Sequence, residues 1–287
     1  MRLLVTIPHY FRGAAPGDPP GFYGSETADA VARVQQVTRC IAALHQTFGP
    51  RQTLAAVQHT QANTTLAGSV DVVLVTNPAD HLADQLPRHL FTQFAVEAEP
   101  RHLGFVCQQI LREQAGRYDR YAYLEDDIEV TDPLFLHKLT WFSRHFGPNV
   151  LLQPNRFELA HDLDVLKFYI DGDTTRPDIT SAFQDVGVNP SLTADAFGQA
   201  FVFKRVDNAH AGCFFLDPAQ LARMCALPEY GHPTDVFFGP LESAATLPLL
   251  RAFEVYKPAR ENAGFLEAQH LGRRFLYAKP PEHSVEA

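Results

Sequence analysis

Apolar positions in the first half of the chain alternate between short continuous runs and stretches spaced three or four residues apart. Residues 3–7 form a near-continuous apolar run, as a strand buried on both faces of a parallel sheet does. Residues 13–24 are dense in Gly and Pro and predict a loop, placed after the first strand where loops meet ligands. Ala30, Val34, Val37, Ile41 and Leu44 then repeat at helical spacing until Gly49-Pro50 stops the helix. Residues 54–57, 70–75 and 91–96 read as strands, the second closed by Asn77-Pro78. Leu103, Val106, Ile110 and Leu111 mark a helix that ends near Gly116. Residues 121–124 form a strand that runs into Glu125-Asp126-Asp127. Asp132-Pro133 supplies an N-cap and first turn for a helix with Phe135, Leu139, Phe142 and Phe146 on one face.

This strand–helix alternation predicts an α/β fold with a mostly parallel sheet covered by helices. Beyond it the pattern is less regular. Residues 150–153, 201–204 and 211–216 read as strands, and Asp217-Pro218 caps a helix through Leu221 and Met224. Residues 171–199 are polar and punctuated by Gly and Pro, and such a long segment in a compact domain is expected to be a lid or binding loop. The expectation is one domain over residues 1–287. Residues 1–135 form its ligand-binding half, 136–278 a more irregular half, and 279–287 a loose tail.

Composition narrows the classes. Hydrophobic residues make up 46% of the chain and 22 residues are Phe, enough for a large aromatic core. Lys and Arg number 24 against 33 Asp and Glu, and a net charge of −9 argues against a nucleic-acid binder. A nucleotide ligand remains compatible, because a bound cation masks phosphate charge. Cys40, Cys107, Cys213 and Cys225 include no C-x-x-C pair and read as reduced thiols. The N-terminal apolar run stops at Pro8, and no apolar run is long enough to span a membrane. The expected location is cytoplasmic.

The chemistry centres on Glu125, Asp126 and Asp127, three adjacent carboxylates at the carboxyl end of an apolar strand, where open α/β sheets bind ligands. Like charges this close repel and are relieved by a cation. Mg²⁺ and Mn²⁺ take oxygen ligands and sit between one or two carboxylates and substrate phosphates. In an extended chain Glu125 and Asp127 would point to one side and Asp126 to the other.

Leu103-Gly104-Phe105, the following helix, Gly116-Arg117-Tyr118 and the strand ending Glu125-Asp126-Asp127-Ile128 together resemble the GT-A glycosyltransferases. The resemblance implies a GT-A-like fold, a nucleotide-sugar donor such as a UDP- or GDP-sugar, and Mn²⁺ or Mg²⁺ held by a DxD motif. Here the first position of the motif is Glu. Asp127 and Glu125 would hold the metal, and Asp126 would touch the donor sugar or ribose. Glu242, at the start of a short helix, corresponds to the catalytic base of inverting members. A late histidine, His270, would complete the metal site. Gly212 would allow the donor close to the backbone, with His210 either beside it or an ordinary strand-edge residue. Thr6, Pro8, His9 and Tyr10 would receive the base and ribose, Tyr10 stacking on the base or covering the sheet edge. Arg101 would meet the donor. Lys257, Arg260, Arg273 and Arg274 would meet the diphosphate or form a solvated basic face, and Asp71 is expected to be structural.

The chain lacks G-x-x-x-x-G-K-[ST], G-x-G-x-x-G after the first strand, and G-x-S-x-G. The implied function is an inverting, metal-dependent transferase with an unspecified carbohydrate, lipid-linked or protein acceptor. The alternatives are a sugar-phosphate nucleotidyltransferase and a non-catalytic nucleotide-sugar or metal-binding protein of the same fold.

Overall fold

Leu3, Val5 and Ile7 point to one face of the first strand and Leu4 and Thr6 to the other, and all five are buried. The computed structural model describes residues 1–13, 29–55, 59–162, 164–171 and 178–276. The loop expected after residue 13 and the expected tail lie outside the described residues.

In chain order the elements are β1 (Arg2–His9), α1 (Ala30–Phe48), β2 (Thr53–Leu54), β3 (Thr60–Gln61), β4 (Ser69–Thr76), β5 (Thr92–Ala95), α2 (Leu103–Glu113), β6 (Arg120–Leu124), β7 (Ile128–Glu129) and α3 (Phe135–Phe146). They continue with β8 (Val150–Leu152), β9 (Asn155–Leu159), β10 (Lys167–Tyr169), α4 (Asp178–Ser181), β11 (Ser191–Ala196), β12 (Gln199–Lys204), β13 (Cys213–Leu216), α5 (Pro218–Cys225), α6 (Pro240–Ala252), β14 (Glu254–Pro258) and β15 (Glu267–His270). The central sheet has the order β13-β6-β1-β4-β5. Its last four strands are parallel, and β13 runs antiparallel along β6. The fold is therefore α/β, with a parallel-strand sheet flanked by helices.

Val37, Ile41 and Leu44 of α1 pack on Leu3, Val5 and Ile7. On the opposite face, Leu103, Cys107 and Leu111 of α2 join Tyr121 and Tyr123 of β6 and the apolar residues of α6. Two smaller four-stranded sheets, β10-β9-β15-β7 and β11-β12-β14-β8, carry the second half.

Several expectations need correction. The strand expected over 54–57 is exposed at Leu54, where Thr53–Leu54 pairs with Thr60–Gln61, and residues 56–57 lie outside the described residues. The 171–199 stretch is no continuous loop. It holds α4, and residues 191–196 pair along β12, an alternating strand whose polar positions face outward. The helix bearing Glu242 is not short: it spans 13 residues and contains Pro248. Burial on almost all sides sustains it, which outweighs the proline. Helix α3 begins after Asp132, whose carboxylate accepts from Leu134 N at 2.8 Å and pairs with Lys138 at 2.6 Å.

Helices α2 and α6 meet at Gly104. A Cβ there would lie 2.6 Å from the Ala244 Cβ and 3.1 Å from the Tyr123 hydroxyl. This approach sets the N-terminal end of α6 against the end of β6. We expect Gly104→Ala to destabilise the fold by about 1–2 kcal/mol through overpacking. Adding Ala244→Gly should restore most of that loss, as read by urea denaturation of both variants.

Candidate functional site

The chain turns sharply where β6 ends. Ile128 N donates to Glu125 O at 3.1 Å, and Glu125 N donates to Gly212 O at 2.8 Å. Residues 125–128 form a turn and not an extended strand, and Asp126 parts from its two neighbours.

Asp126 turns under α1. It is 7% exposed, ion-paired to Arg33 and 2.6 Å from His9 Nδ1. His9 is itself buried, and its Nε2 accepts from Leu82 N at 3.1 Å, which leaves the ring proton on Nδ1 for Asp126. Asp126 and His9 were expected to touch the donor. The structure assigns them instead to a buried clasp joining β1, β6 and α1. Thr6 is corrected for the same reason: it is fully buried beneath the sheet, its hydroxyl 3.3 Å from Ala122 O. Pro8 and Tyr10 are half-buried beyond them, and Arg101 is exposed before α2.

Asp127 faces the other way. Its carboxylate is about a quarter exposed and lies 3.6 Å from His270 Nε2 and 3.8 Å from Arg33. The topology accounts for a contact across so much sequence. Strand β15 runs antiparallel to β7 with His270 opposite Ile128, and Leu271 N donates to Asp127 O at 2.8 Å. The other imidazole nitrogen, Nδ1, is 2.8 Å from Glu158 Oε1 on β9, a fully buried carboxylate. Glu158 also accepts from Leu276 N at 2.9 Å. An imidazole held on one nitrogen by a buried carboxylate, with the other nitrogen beside an acid, is the arrangement that orients histidine ligands on metals.

Glu125 feels the charge of both members of this pair. Its carboxylate fills the space that a Cβ at Gly212 would need, 2.6 Å from that position, and Gly212 has a left-handed φ of +62°. Its other neighbour is His210, at 3.7 Å. Among the described residues no three His, Cys, Asp or Glu donors converge on one point. Asp127 and His270, 3.6 Å apart, are the pair that could share a cation. This fits a cation that takes its remaining ligands from phosphate and water better than an all-protein cage.

The electrostatics fit the same cation. Burial and the Asp127 charge push the Glu125 carboxyl up to about 8, and Glu242 adds to the rise while Arg156 and His270 oppose it. Burial opposes charge on His270, but Asp127 and Glu158 outweigh it and raise the imidazole to about 9. Asp127 is held below the usual carboxylate range: burial works against ionisation, and His270, Arg33 and Arg156 overcome it. Protons thus occupy the cluster where a divalent ion would compensate the charge.

A second tier lies behind the acids. Arg156 makes a bidentate pair with Asp171, and Lys257 Nζ pairs with the same carboxylate at 2.9 Å while donating to His210 O at 2.7 Å. All three charged groups are buried. Lys257, expected on a basic surface, is 1% exposed, and burial lowers its pKa despite Asp171. Arg273 pairs with Asp162, Arg274 lies over the Phe275 ring, and Arg260 is exposed. His210 is buried, with Nδ1 2.8 Å from the Thr246 hydroxyl, and burial with Arg156 drives its pKa well down. Asp71 accepts from the Tyr118 hydroxyl at 2.9 Å on the surface.

Glu242 stands in the first turn of α6, partly exposed, and its charge is felt by Glu125 and by Tyr123. A Cβ at Gly239 would lie 3.1 Å from the Glu242 carboxylate, so this glycine lets the acid fold back over the helix start. The Tyr123 hydroxyl, fully buried nearby, has no hydrogen-bond partner among the described residues.

Comparison with known proteins adds the following. No family model matches the chain, and no curated protein matches it. Among solved structures it is similar to GalNAc-T7 with UDP, GalNAc and Mn²⁺, at a TM-score of 0.48 and 10% identity, over 100% of this chain and 46% of that one. The chain thus spans less than half the length of that protein. It is also similar to CMP:2-keto-3-deoxy-manno-octonic acid synthetase complexed with CTP, at a TM-score of 0.37 and 13% identity, covering 90% of each chain. A third is a glucose-1-phosphate thymidylyltransferase of Bacillus anthracis in complex with a sucrose, with a TM-score of 0.34, 10% identity, and 90% and 87% coverage. These values transfer no residue role to this chain. Among the described residues no helix is long and apolar enough to cross a membrane.

Sequence reading missed Arg33, Arg156, Glu158 and Asp171. Arg156-Phe157-Glu158-Leu159 alternates polar and apolar, which reads as a strand with one face in water, yet Arg156 and Glu158 are buried as well as Phe157. No local signal distinguishes the two cases.

Two outcomes check this geometry. Asp126→Asn should cost about 3 kcal/mol of stability, because it leaves Arg33 buried beside an amide, and urea denaturation would read the loss. The second concerns pH. His270 rises from an ordinary 6.5 to about 9 and Glu125 from 4.5 to about 8. Both groups keep protons when folded that the unfolded chain releases, so their contribution to stability falls as pH rises through this range. Mn²⁺ held by Asp127 and His270 would displace those protons. It should therefore raise the thermal midpoint more at pH 8.5 than at pH 6, and Asp127→Ala should remove that difference.

Proposed function

We propose that the chain is a metal-dependent glycosyltransferase that moves a sugar from a nucleoside-diphosphate sugar to an acceptor hydroxyl with inversion. The observation that carries this reading is the pairing of Asp127 with His270 at 3.6 Å, its second nitrogen fixed by buried Glu158. Asp127 and His270 would hold Mn²⁺ or Mg²⁺, and the bound ion would neutralise charge on the departing diphosphate. Neutral imidazole beside a carboxylate suits Mn²⁺ better than Mg²⁺.

The remaining steps belong to the side chains. Glu242 accepts the proton of the acceptor hydroxyl as its oxygen bonds to the anomeric carbon. The bond from that carbon to the diphosphate oxygen breaks, and the electron pair leaves with the nucleotide. Glu125, kept close to Gly212 and within the electrostatic reach of both Asp127 and Glu242, would hydrogen-bond a sugar hydroxyl. Arg156, fixed by Asp171, supplies a stationary positive charge beside the acids. Pro8 and Tyr10, at the carboxyl end of β1, are where the base and ribose would rest.

A panel of UDP- and GDP-sugars with Mn²⁺ and a pooled set of glycoside, lipid and peptide acceptors tests the reading. Asp127→Ala should abolish transfer and metal-dependent nucleotide binding while the circular dichroism spectrum stays native. Glu242→Gln should lower kcat by about 10²–10⁴ with little change in nucleotide affinity. Wild-type turnover in Asp127→Ala with metal present would sink the mechanism. Pyrophosphate release from a sugar phosphate and a nucleoside triphosphate would redirect it to nucleotidyl transfer.

A further inference from the structure

Helix α3 contains no Asp or Glu, although the chain has 33 acids against 24 Lys and Arg. Phe135, Leu139 and Phe142 of this helix are buried in the core. On another side His137, Thr140, Trp141, Arg144 and His145 recur at helical spacing and line a cleft of about 300 Å³. That volume is at the small end of ligand sites. The half-buried Trp141 ring is backed by Phe203 at 6.0 Å and Phe265 at 5.5 Å, and the His145 ring lies 5.5 Å from it.

The wall at Thr140 continues into Arg120, at the start of β6. Thr140 Oγ1 accepts from the Arg120 guanidinium and donates to Leu136 O at 2.8 Å. Arg120 is half-buried, and among the described residues its guanidinium makes no other hydrogen bond and no ion pair. Burial lowers its pKa, Asp217 and Asp119 oppose the fall, and Arg144 adds to it. Both acids are engaged elsewhere: Asp217 accepts from Gln220 N at 2.8 Å, and Asp119 from Arg2 N at 2.7 Å. Arg33, Arg39 and Arg156, by contrast, each hold a carboxylate. Arg144 and His137 also lack a hydrogen bond or ion pair among the described residues. The helix dipole accounts for Arg144 and His145, which lie in the last turn of α3, but not for Arg120 or for His137 in the first turn. Cations gathered without an acid are relieved by an anion.

We propose that this cleft binds a phosphate group, free or carried as a monoester, through Arg144, Arg120 and the imidazoles of His137 and His145. The planar fork of arginine matches phosphate oxygens, and imidazole adds N–H donors. A phosphate brings about two negative charges and three acceptor oxygens to donors spread over two turns of helix, more than a carboxylate offers. The site is separate from the acids. Strand β6 carries Arg120 at its start and leads to Glu125 beyond its other end, roughly 15 Å away at about 3.3 Å per residue. The proposal therefore stands or falls apart from the transferase reading.

Trp141 is the only tryptophan of the chain, so intrinsic fluorescence reads the cleft directly. Inorganic phosphate and glycerol 2-phosphate are titrated into the full chain without metal at constant ionic strength, with chloride as the reference anion. At least one should give a saturable change with a Kd of about 1 mM or tighter. Equal affinities would assign the site to the phosphate alone, and tighter binding of the ester to a carried phosphate. Arg144→Gln should weaken the Kd about tenfold or more while the circular dichroism spectrum stays native. Arg51→Gln, which removes an exposed cation elsewhere, should leave it within about twofold. Asp127→Ala should bind phosphate as the wild type does. An unchanged Kd in Arg144→Gln, no saturable response, the same response to chloride, or loss of the response in Asp127→Ala would overturn the proposal. So would a concentration-dependent dimer in sedimentation that Arg144→Gln dissolves, because a second copy would then be what covers this face.

Discussion

The site depends on the clasp that fixes the end of β6. Asp126 accepts from buried Arg33 and from His9, and His9 is anchored in turn by the backbone of Leu82. A carboxylate taken out of water this fully is tolerated only when its partners are in place. With Asp126 pinned under α1, the 125–128 turn has one orientation, and that orientation sends Glu125 toward Gly212 and Asp127 toward His270. The middle acid sets the directions of its two neighbours.

Charge is then balanced in depth. Arg156, Asp171 and Lys257 form a buried chain whose far end reaches the carbonyl of His210 and whose near end is felt by Glu125 and Asp127. Buried ion pairs contribute little net stability against apolar replacements of the same shape. What they provide here is a guanidinium that cannot swing away. Burial and the Asp127 charge raise the Glu125 carboxyl, and the buried Arg156 opposes that rise.

How much of this the sequence disclosed varied with the kind of signal. The alternating β/α rhythm of the first half, and the acids at the end of residues 121–124, were legible because burial and strand position leave a periodic trace. The convergence of His270 on Asp127 had no such trace: it arises from strand pairing between distant segments, and only the family resemblance suggested it. Asp126 and His9 were misread because an acid and a histidine at a strand end look alike whether they face a ligand or a buried arginine. Arg33 sits among ordinary helix residues and carries no mark of its partner.

The insertion of β15 between β9 and β7 has a consequence for biosynthesis. Until residues 267–270 emerge from the ribosome, β9 and β7 have no strand to join them, and Asp127 has no imidazole beside it. The central parallel sheet can assemble while the chain is still growing, but the Asp127–His270 pair waits for residues 267–270. A product terminated before residue 267 would keep the parallel core and lack the imidazole that faces Asp127.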